Sequence, residues 1–368
     1  MSSSTQTVSA WGPSMVPFGR SFADQTVRMV IHPTASGPGA RLRVSNLHGP
    51  GELTVGAVGV AGPSGPFRPV TFGHAPKTVL GRGQEVYSDV LPVDVVRGQA
   101  LLVSVHLPEE TGPSTHHREA LRTCWVSPPG SGDLTAREGL AGFTGAESSW
   151  YFLSGLTVEA SDADGTVVAF GDSITDGANT TPDTNRRWPD LLARRLASHR
   201  TAVVNAGVAG NRLLSDSTAV ACVHRFGHDV LGHAGVRTVV VLAGINDILT
   251  GVGADGSGLT AGDLIDGYRC LTDMARAGGV RIVGGTLLPS RNLTAGQDTV
   301  RLAVNDWILG GDGFDGVVDF AAATADPGVP GSLRPAYDSG DGLHPNDAGM
   351  AALAGAVDPA VLTGPARP

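Results

Sequence analysis

The chain has 368 residues, which is long enough for two domains, and 17% of them are charged against 41% that are apolar. With 52 glycines and 24 prolines, this composition is typical of a globular, loop-rich protein rather than a disordered or fibrous one. The net charge of −9 argues against a surface for nucleic acid or anionic membrane, and no apolar run approaches the roughly 18 residues of a membrane span.

The start of the chain, MSSSTQTVSAWGPSMVPFGR, lacks a basic segment followed by a continuous apolar segment. Such a pattern marks secretory signal peptides, and these residues therefore do not resemble one. We expect a cytoplasmic protein, unless the chain is a trimmed form of a secreted one.

From Gln25 to about Ala160, short apolar runs alternate with turns rich in glycine and proline. The runs are TVRMVIHP, ARLRVSN, ELTVGAVGV, QALLVSVHL and WYFLSGLTVEA. Many short strands at this spacing predict an all-β domain of sandwich or jelly-roll type, which we assign to residues 1–162. His116 and His117 fall between two runs and are expected in a surface loop.

After residue 162 the pattern changes, and apolar runs alternate with segments of helical periodicity. The runs TVVAF, AVVNAG, TVVVLAG, RIVGGTLL and GVVDF are Val-rich and lack alternation, as parallel strands covered on both faces do. The helical segments are RRWPDLLARRLA, AGDLIDGYRCLTDMARAG and TVRLAVNDWIL. Residues 163–368 are therefore predicted to form a doubly wound α/β domain with about five parallel strands, in which ligands bind at the carboxyl ends of the strands.

Four polar segments follow strands or precede the last helix: FGDSITDG, NAGVAGNR, LAGINDI and DSGDGLHPNDAG. Ser173 stands just beyond the first strand of this half. His344 has Asp341 three residues before it, and this spacing lets a carboxylate hold one imidazole nitrogen while the other faces a serine. Gly210 and Asn246 follow neighbouring strands and are placed to offer a backbone N–H and a side-chain amide to an oxyanion.

Each of these residues also has a purely structural interpretation. Asp172 and Ser173 are both residue types that cap helices, and Gly210 is the type that supplies a positive φ in a turn. Asn246 could cap the helix after its strand, and His344 could be an exposed loop residue. The four segments together, in order and each at a strand end or in the last loop, favour a nucleophilic site over four separate structural roles.

The segments GDSITDG, NAGVAGN, GIND and DGLH resemble the four motif blocks of the GDSL/SGNH hydrolase superfamily, in the same order. The resemblance implies an SGNH-type, flavodoxin-like α/β fold and a serine esterase. It implies that Ser173 is the nucleophile, that His344 is the base and that Asp341 orients the base. It also implies an oxyanion hole formed by the Ser173 amide, Gly210 and Asn246.

Further stretches, among them NAGVAGNRLL and GDGLHPNDAGM, resemble the xylan-esterase-like subgroup, whose members have an N-terminal β domain. This implies removal of acetyl or other short acyl groups from a carbohydrate or a small metabolite. Asp172 and Asn211, which adjoin the implied nucleophile and the implied oxyanion glycine, are predicted to bind substrate. Two alternatives remain open: a lipid-directed acylhydrolase of lysophospholipase or lipase type, and a carbohydrate-binding protein whose hydrolase half is catalytically idle.

No cofactor and no metal are expected, because a serine mechanism needs neither. The spacing of His224, His228 and His233 suggests a metal site, but no cluster of carboxylates or cysteines accompanies them in the sequence. The expected partner is a small-molecule or oligosaccharide ester, with neither nucleic acid nor membrane, and the sequence leaves an oligomer open.

Overall fold

The computed structural model of the protein describes residues 6–160, 162–253, 256, 258–311 and 313–364. The chain divides into two compact units. The first contains the described residues up to Asp164 together with Arg200–Ala202, and the second contains Gly165–His199 and the described residues from Val203 onward. None of the helices in the described ranges is both long enough and apolar enough to cross a membrane.

The first unit consists of antiparallel β-structure. Its strands, in chain order, are β1 (Thr7–Trp11), β2 (Val16–Gly19), β3 (Gln25–Ile31), β4 (Arg41–Ser45), β5 (Leu53–Val55), β6 (Ala57–Ala61), β7 (Arg68–Val70), β8 (Thr78–Leu80), β9 (Glu85–Tyr87), β10 (Leu101–Leu107), β11 (Ser114–His117), β12 (Cys124–Val126), β13 (Gly145–Glu147), β14 (Trp150–Tyr151) and β15 (Leu153–Glu159). One sheet has the order β1-β15-β4-β9 and another the order β13-β12-β3-β10-β6-β7, beside the smaller sheets β14-β11-β2 and β5-β8. Side chains of both larger sheets, such as Leu42 and Val103, share one apolar core, as in a β-sandwich. The predicted all-β character of this half is confirmed.

Two details of the first unit differ from the sequence-based expectations. The run WYFLSGLTVEA is divided into β14 and β15, because Phe152 adopts a positive φ of 58° between them. His116 and His117 were expected in a surface loop, and this expectation is wrong: they lie in β11 and are only 7% and 3% exposed. Their rings stack on Tyr151 and Trp150 of the neighbouring strand, so aromatic packing buries two residues that look polar in the sequence.

The second unit alternates strands and helices. Its strands are β16 (Gly165–Gly171), β17 (Thr201–Gly207), β18 (Val236–Leu242), β19 (Arg281–Gly285) and β20 (Gly316–Val318). Its α-helices are α1 (Ser173–Asp176), α2 (Trp188–Arg195), α3 (Cys222–Phe226), α4 (Ile245–Thr250), α5 (Ala261–Ala277), α6 (Ala295–Gly310), α7 (Phe320–Thr324) and α8 (Asp347–Ala356). Short 3₁₀ segments cover Leu196–His199 and Pro359–Leu362, and a π-helical turn covers Gly227–Leu231.

The five strands of the second unit form one sheet in the order β17-β16-β18-β19-β20. The pairs β16–β18, β18–β19 and β19–β20 are parallel. Counted within the unit the order is 2-1-3-4-5, which is the flavodoxin-like doubly wound topology. The predicted fold of the second half is therefore confirmed, and its ligand-binding edge lies at the carboxyl ends of β16 and β18, where the strand order reverses.

Packing explains why the sequence forms this sheet. Every residue of β16 is buried, and the Val-rich run of β18 is buried from Thr238 onward. These strands share one core with apolar residues of the covering helices, among them Trp188, Leu192 and Leu271. Helices α5 and α6 both begin with a capping box, which satisfies two backbone N–H groups at the start of each helix.

Candidate active site

Ser173 lies where the buried strand β16 meets the short helix α1. Asp172 caps that helix, since its Oδ1 accepts a hydrogen bond of 3.0 Å from the N–H of Ile174, and Gly177 ends it with a φ of 103°. The hydroxyl of Ser173 is 2.8 Å from Nε2 of His344. The turn therefore presents the serine to an imidazole that lies 171 residues further along the chain.

The imidazole of His344 is held by Asp341. Its Nδ1 is 2.6 Å from Oδ2 of the carboxylate, whose Oδ1 also accepts hydrogen bonds of 2.9 Å from the N–H groups of Leu343 and His344. The neighbouring Asn346 caps α8 and donates to the carbonyl of Asp338, which fixes the turn on its other side. In the tautomer with its proton on Nδ1, the ring offers an acceptor to the serine hydroxyl.

Two asparagines that the sequence analysis missed hold Asp341 from outside this turn. Asn179 donates from Nδ2 to Oδ2 of Asp341 over 2.8 Å, and Asn292 donates to the backbone carbonyl of Asp341 over 3.0 Å. Asn179 has a φ of 65°, which asparagine tolerates better than most residues. Both lie in polar loops whose sequences give no signal beyond their residue types, so only the tertiary structure reveals them.

The carboxyl group of Asp341 is held in its ionised form. Partial burial acts to raise its pKa, but the hydrogen bonds from the His344 ring, from the His344 N–H and from the Leu343 N–H together outweigh burial. They hold the pKa of Asp341 well below the usual value for an aspartate. A carboxylate that stays ionised is suited to stabilise a neighbouring imidazolium.

The predicted oxyanion donors are free to bind an incoming group. Gly210, at a φ of 75°, and Ser173 have backbone N–H groups that donate to no other group in the ranges the structure describes. Asn246 uses Nδ2 to donate to the carbonyl of Asn211 over 2.9 Å. Because a side-chain amide has two N–H groups, the second one of Asn246 remains for a ligand.

Backbone contacts join the loop of Gly210 to the nucleophile turn. The N–H of Val208 donates to the carbonyl of Gly171 over 3.1 Å, and the N–H of Ala209 donates to Oδ2 of Asp176 over 2.8 Å. At Gly207 a Cβ atom would come within 2.2 Å of the backbone nitrogen of Asp176, so only glycine allows this approach. The loop that contains Gly210 therefore packs directly against the turn that contains Ser173.

Asp172 and Asn211 were predicted to bind substrate, and the structure instead buries both side chains. They are 1% and 0% exposed. Asp172 acts as the cap of α1, while Asn211 donates from Nδ2 to the carbonyl of Val220 and accepts at Oδ1 from Arg225. Burial of both side chains therefore argues against a direct substrate contact, because Asp172 is used in a helix cap and Asn211 in bonds to Val220 and Arg225.

Burial of Asp172 leads to a prediction about stability and pH. Burial, helped by the charge of Asp247, raises the pKa of Asp172 to about 7 from the 3.8 that is usual for an aspartate. The folded state then binds one more proton than the unfolded state between about pH 4 and pH 7, so the free energy of unfolding falls as pH rises, by up to about 1.4 kcal/mol per pH unit. The exchange Asp172→Asn keeps the capping oxygen and should remove this decline.

The measurement is urea unfolding of the unchanged protein and of Asp172→Asn at several pH values between 4 and 8. As a matched control, Asp266→Asn changes an aspartate whose side chain is 73% exposed, and it should keep the pH dependence of the unchanged protein. Parallel stability curves for Asp172→Asn and the unchanged protein would show that Asp172 does not bind this proton.

Two of the three histidines whose spacing suggests a metal site contact aspartates that are close to them in the sequence. His224 and His228 approach Asp216 and Asp229 over 3.2 and 2.6 Å. Within the described ranges, no group of three or more His, Cys, Asp or Glu side chains is arranged so that it could hold a metal ion.

Comparison with known proteins places the site inside a recognised sequence family. The sequence profile of the GDSL-like Lipase/Acylhydrolase family matches residues 169–352, which is half of the chain and includes Ser173, Gly210, Asn246, Asp341 and His344. No curated protein sequence matches the chain.

Several solved structures resemble the chain over about half of its length. A carbohydrate acetylesterase from Sinorhizobium meliloti is 13% identical, with 52% of this chain and 94% of that chain covered and a TM-score of 0.41. An acetyl xylan esterase from Geobacillus stearothermophilus is 20% identical, with 53% and 93% covered and a TM-score of 0.40. A member of the lipolytic protein G-D-S-L family from Veillonella parvula DSM 2008 is 18% identical, with 51% and 93% covered and a TM-score of 0.41.

Proposed function

Since the chain belongs to the GDSL-like Lipase/Acylhydrolase family and is a carboxylic ester hydrolase, we propose that it works through an acyl-enzyme intermediate on Ser173. The observation that carries this proposal is the continuous relay from Asp341 through His344 to Ser173, with contacts of 2.6 and 2.8 Å. A nucleophile, a base within hydrogen-bond reach of it and a group that orients the base are the three parts that nucleophilic catalysis requires.

In the first half-reaction the hydroxyl oxygen of Ser173 attacks the ester carbonyl, and His344 takes its proton on Nε2. The N–H groups of Ser173 and Gly210 and the side-chain amide of Asn246 stabilise the negative oxygen of the tetrahedral intermediate. The intermediate then collapses, the C–O bond to the alcohol breaks, and His344 returns the proton to the leaving alcohol. Asp341 stays ionised and stabilises the imidazolium in between.

In the second half-reaction a water molecule replaces the alcohol. His344 takes a proton from this water as its oxygen attacks the acyl carbon, and the same N–H donors stabilise the second tetrahedral intermediate. Its collapse breaks the bond to Ser173 and releases the carboxylic acid, and His344 returns the proton to the serine oxygen. The enzyme is then ready for another ester.

We propose acetyl or another short acyl group on a carbohydrate or small metabolite as the substrate. Besides the resemblance to xylan-esterase-like proteins, the polar surroundings of the relay support this proposal, because Asn179, Asn292 and Ser339 lie in the loops beside it and Asn246 lies at the start of α4. Amide and hydroxyl groups can hydrogen-bond a polyhydroxylated alcohol, whereas a lipid-directed site is usually lined by apolar side chains.

The experiment is a comparison of p-nitrophenyl acetate, butyrate, octanoate and palmitate with acetylated xylo-oligosaccharides and an acetylated monosaccharide. The proposal predicts that kcat/KM falls as the acyl chain lengthens and that acetate is released from at least one acetylated sugar. A rise of kcat/KM toward octanoate and palmitate, without release of acetate from the sugars, would favour the lipid-directed alternative. A catalytically idle protein would hydrolyse none of these esters.

The role of Asn246 gives a separate prediction. Replacement of Asn246 by alanine removes one oxyanion donor and should lower kcat by about 10²–10³-fold. The measurement is steady-state hydrolysis of p-nitrophenyl acetate. Asn305→Ala is the matched control, because Asn305 is a buried amide that bonds the backbone of Leu287 and should affect stability rather than kcat. Equal kcat values for Asn246→Ala and the control would remove Asn246 from the proposed oxyanion hole.

A further inference from the structure

Arg225, on helix α3, is buried below the carboxyl ends of the central strands and takes no part in the proposed chemistry. It is 6% exposed, and its guanidinium lies over the ring of Phe170 with 4.1 Å between the guanidinium carbon and the ring centroid. Asp229, one turn along the chain, balances its charge through a contact of 3.0 Å. Burial of a charged guanidinium costs desolvation free energy, and its further hydrogen bonds must offset this cost.

Those other contacts reach the strand ends and the loop that adjoin the candidate catalytic groups. Arg225 donates from Nη2 to the carbonyl of Gly171 over 2.8 Å and from Nη1 to the carbonyl of Ala206 over 2.9 Å. It also donates from Nε to Oδ1 of Asn211 over 2.8 Å. Gly171 is two residues before Ser173, while Ala206 and Asn211 lie on either side of the turn that contains Gly210.

Asn246, the third proposed oxyanion donor, is connected to Arg225 through Asn211. The backbone carbonyl of Asn211 accepts the hydrogen bond from the side chain of Asn246, and Arg225 holds the side chain of this same Asn211. One guanidinium therefore connects, directly or through one residue, the end of β16, the end of β17 with the loop that follows it, and the start of α4 after β18. These segments carry or adjoin the proposed nucleophile and all three proposed oxyanion donors.

We propose that Arg225 is a positioning residue that sets the distances between Ser173, Gly210 and Asn246. Oxyanion stabilisation depends on donors that are already in place before reaction, and a displacement of about 1 Å can cost about 10²-fold in rate. Arginine suits this position because its rigid, planar fork of five N–H groups reaches several acceptors at once. Lysine keeps the charge but offers three donors from a single point, so it cannot reproduce these separations.

The proposal rests on the proposed acyl-enzyme function of the same site, and the exchange Arg225→Lys tests it. We expect kcat for p-nitrophenyl acetate to fall about 10²-fold while KM changes little, since the displaced groups act on the transition state. The rate of covalent labelling by a fluorophosphonate probe should fall in parallel. All rates are referred to the concentration of folded protein measured by circular dichroism.

Arg301→Lys is the matched control. Arg301 is also buried, at 4% exposure, pairs with an aspartate of its own helix over 2.7 Å and donates to the carbonyl of Leu287 after β19. Both lysine variants should lose stability, but only Arg225→Lys should lose kcat. If Arg225→Lys retains the kcat of the unchanged protein, or if the control loses as much, Arg225 has only a structural role and the proposal is overturned.

A second variant covers the case in which Arg225→Lys does not fold. Asn211→Leu is close in size and removes the acceptor for Nε of Arg225, so kcat should fall about tenfold, a smaller loss because two of the three bonds to the loops remain. Unchanged kcat in this variant would contradict the proposal. Should the unchanged protein itself show neither turnover nor labelling, the proposed function fails, and this outcome is distinct from failure of the Arg225 role.

Discussion

Replacement of Ser173 by alanine will abolish ester hydrolysis and leave the fold intact. We expect a loss of about 10⁶-fold in kcat, which is the order of loss when the nucleophile of a serine hydrolase is removed. The fold should survive because the turn is held by backbone groups and by Asp172: the N–H of Gly177 donates to the carbonyl of Ser173 over 2.9 Å, and Asp172 caps α1. Alanine preserves each of these contacts. Initial rates on p-nitrophenyl acetate and a thermal melt by circular dichroism measure the two properties.

Ser149→Ala serves as the control for this exchange. The hydroxyl of Ser149 donates to the carbonyl of Arg118 in the first unit, so its loss should leave kcat unchanged. Turnover by Ser173→Ala that approaches the rate of the control would end the assignment of Ser173 as the nucleophile.

Replacement of Asp341 by asparagine has the second-largest expected effect, a loss of about 10⁴-fold in kcat. The carboxylate accepts three hydrogen bonds from Leu343 and His344, and an amide cannot accept from the His344 ring and the backbone together without turning an N–H toward one of these donors. The ring would then favour the tautomer with its proton on Nε2, which cannot take the proton of Ser173. The pH-independent kcat on p-nitrophenyl acetate measures the loss.

Asp338→Asn separates the effect of charge from that of loop structure. Asp338 lies in the same turn and accepts from the N–H groups of Gly340 and Gly342 through Oδ1, an interaction that an asparagine oxygen can also make. We expect a far smaller loss of kcat for this variant. If the two asparagine variants lose activity equally, the contribution of Asp341 is to shape the turn rather than to hold the imidazole.

The parallel sheet could be predicted because its strands are unusually uniform. Strands β16 and β18 are Val-rich and buried, and a sheet covered on both faces permits no alternation that could be confused with a surface strand. The carboxyl ends of such strands lie at one edge, so the polar segments that follow them predict a site there before any coordinates are known.

The support of the site could not be predicted in the same way. Asn179 and Asn292 reach Asp341 from loops that are distant in sequence, and no periodicity marks residues whose role is a single long-range hydrogen bond. Burial is equally hidden: Asp172 stands beside the nucleophile and was expected to meet substrate, yet its carboxyl group points into the protein. Arg225 illustrates the same limit, because two of its acceptors are the backbone carbonyls of Gly171 and Ala206, and every sequence contains such groups.

The most direct test of the central claim is covalent labelling of the protein with a fluorophosphonate probe, followed by peptide mapping. Such probes react with a serine that is activated by a neighbouring base, so labelling reports the nucleophile independently of the natural substrate. The proposed mechanism predicts one adduct on Ser173, its absence in Ser173→Ala and loss of ester hydrolysis in proportion to labelling. Full hydrolytic activity in a protein that carries no adduct on Ser173, or whose adduct lies on another residue, would contradict it.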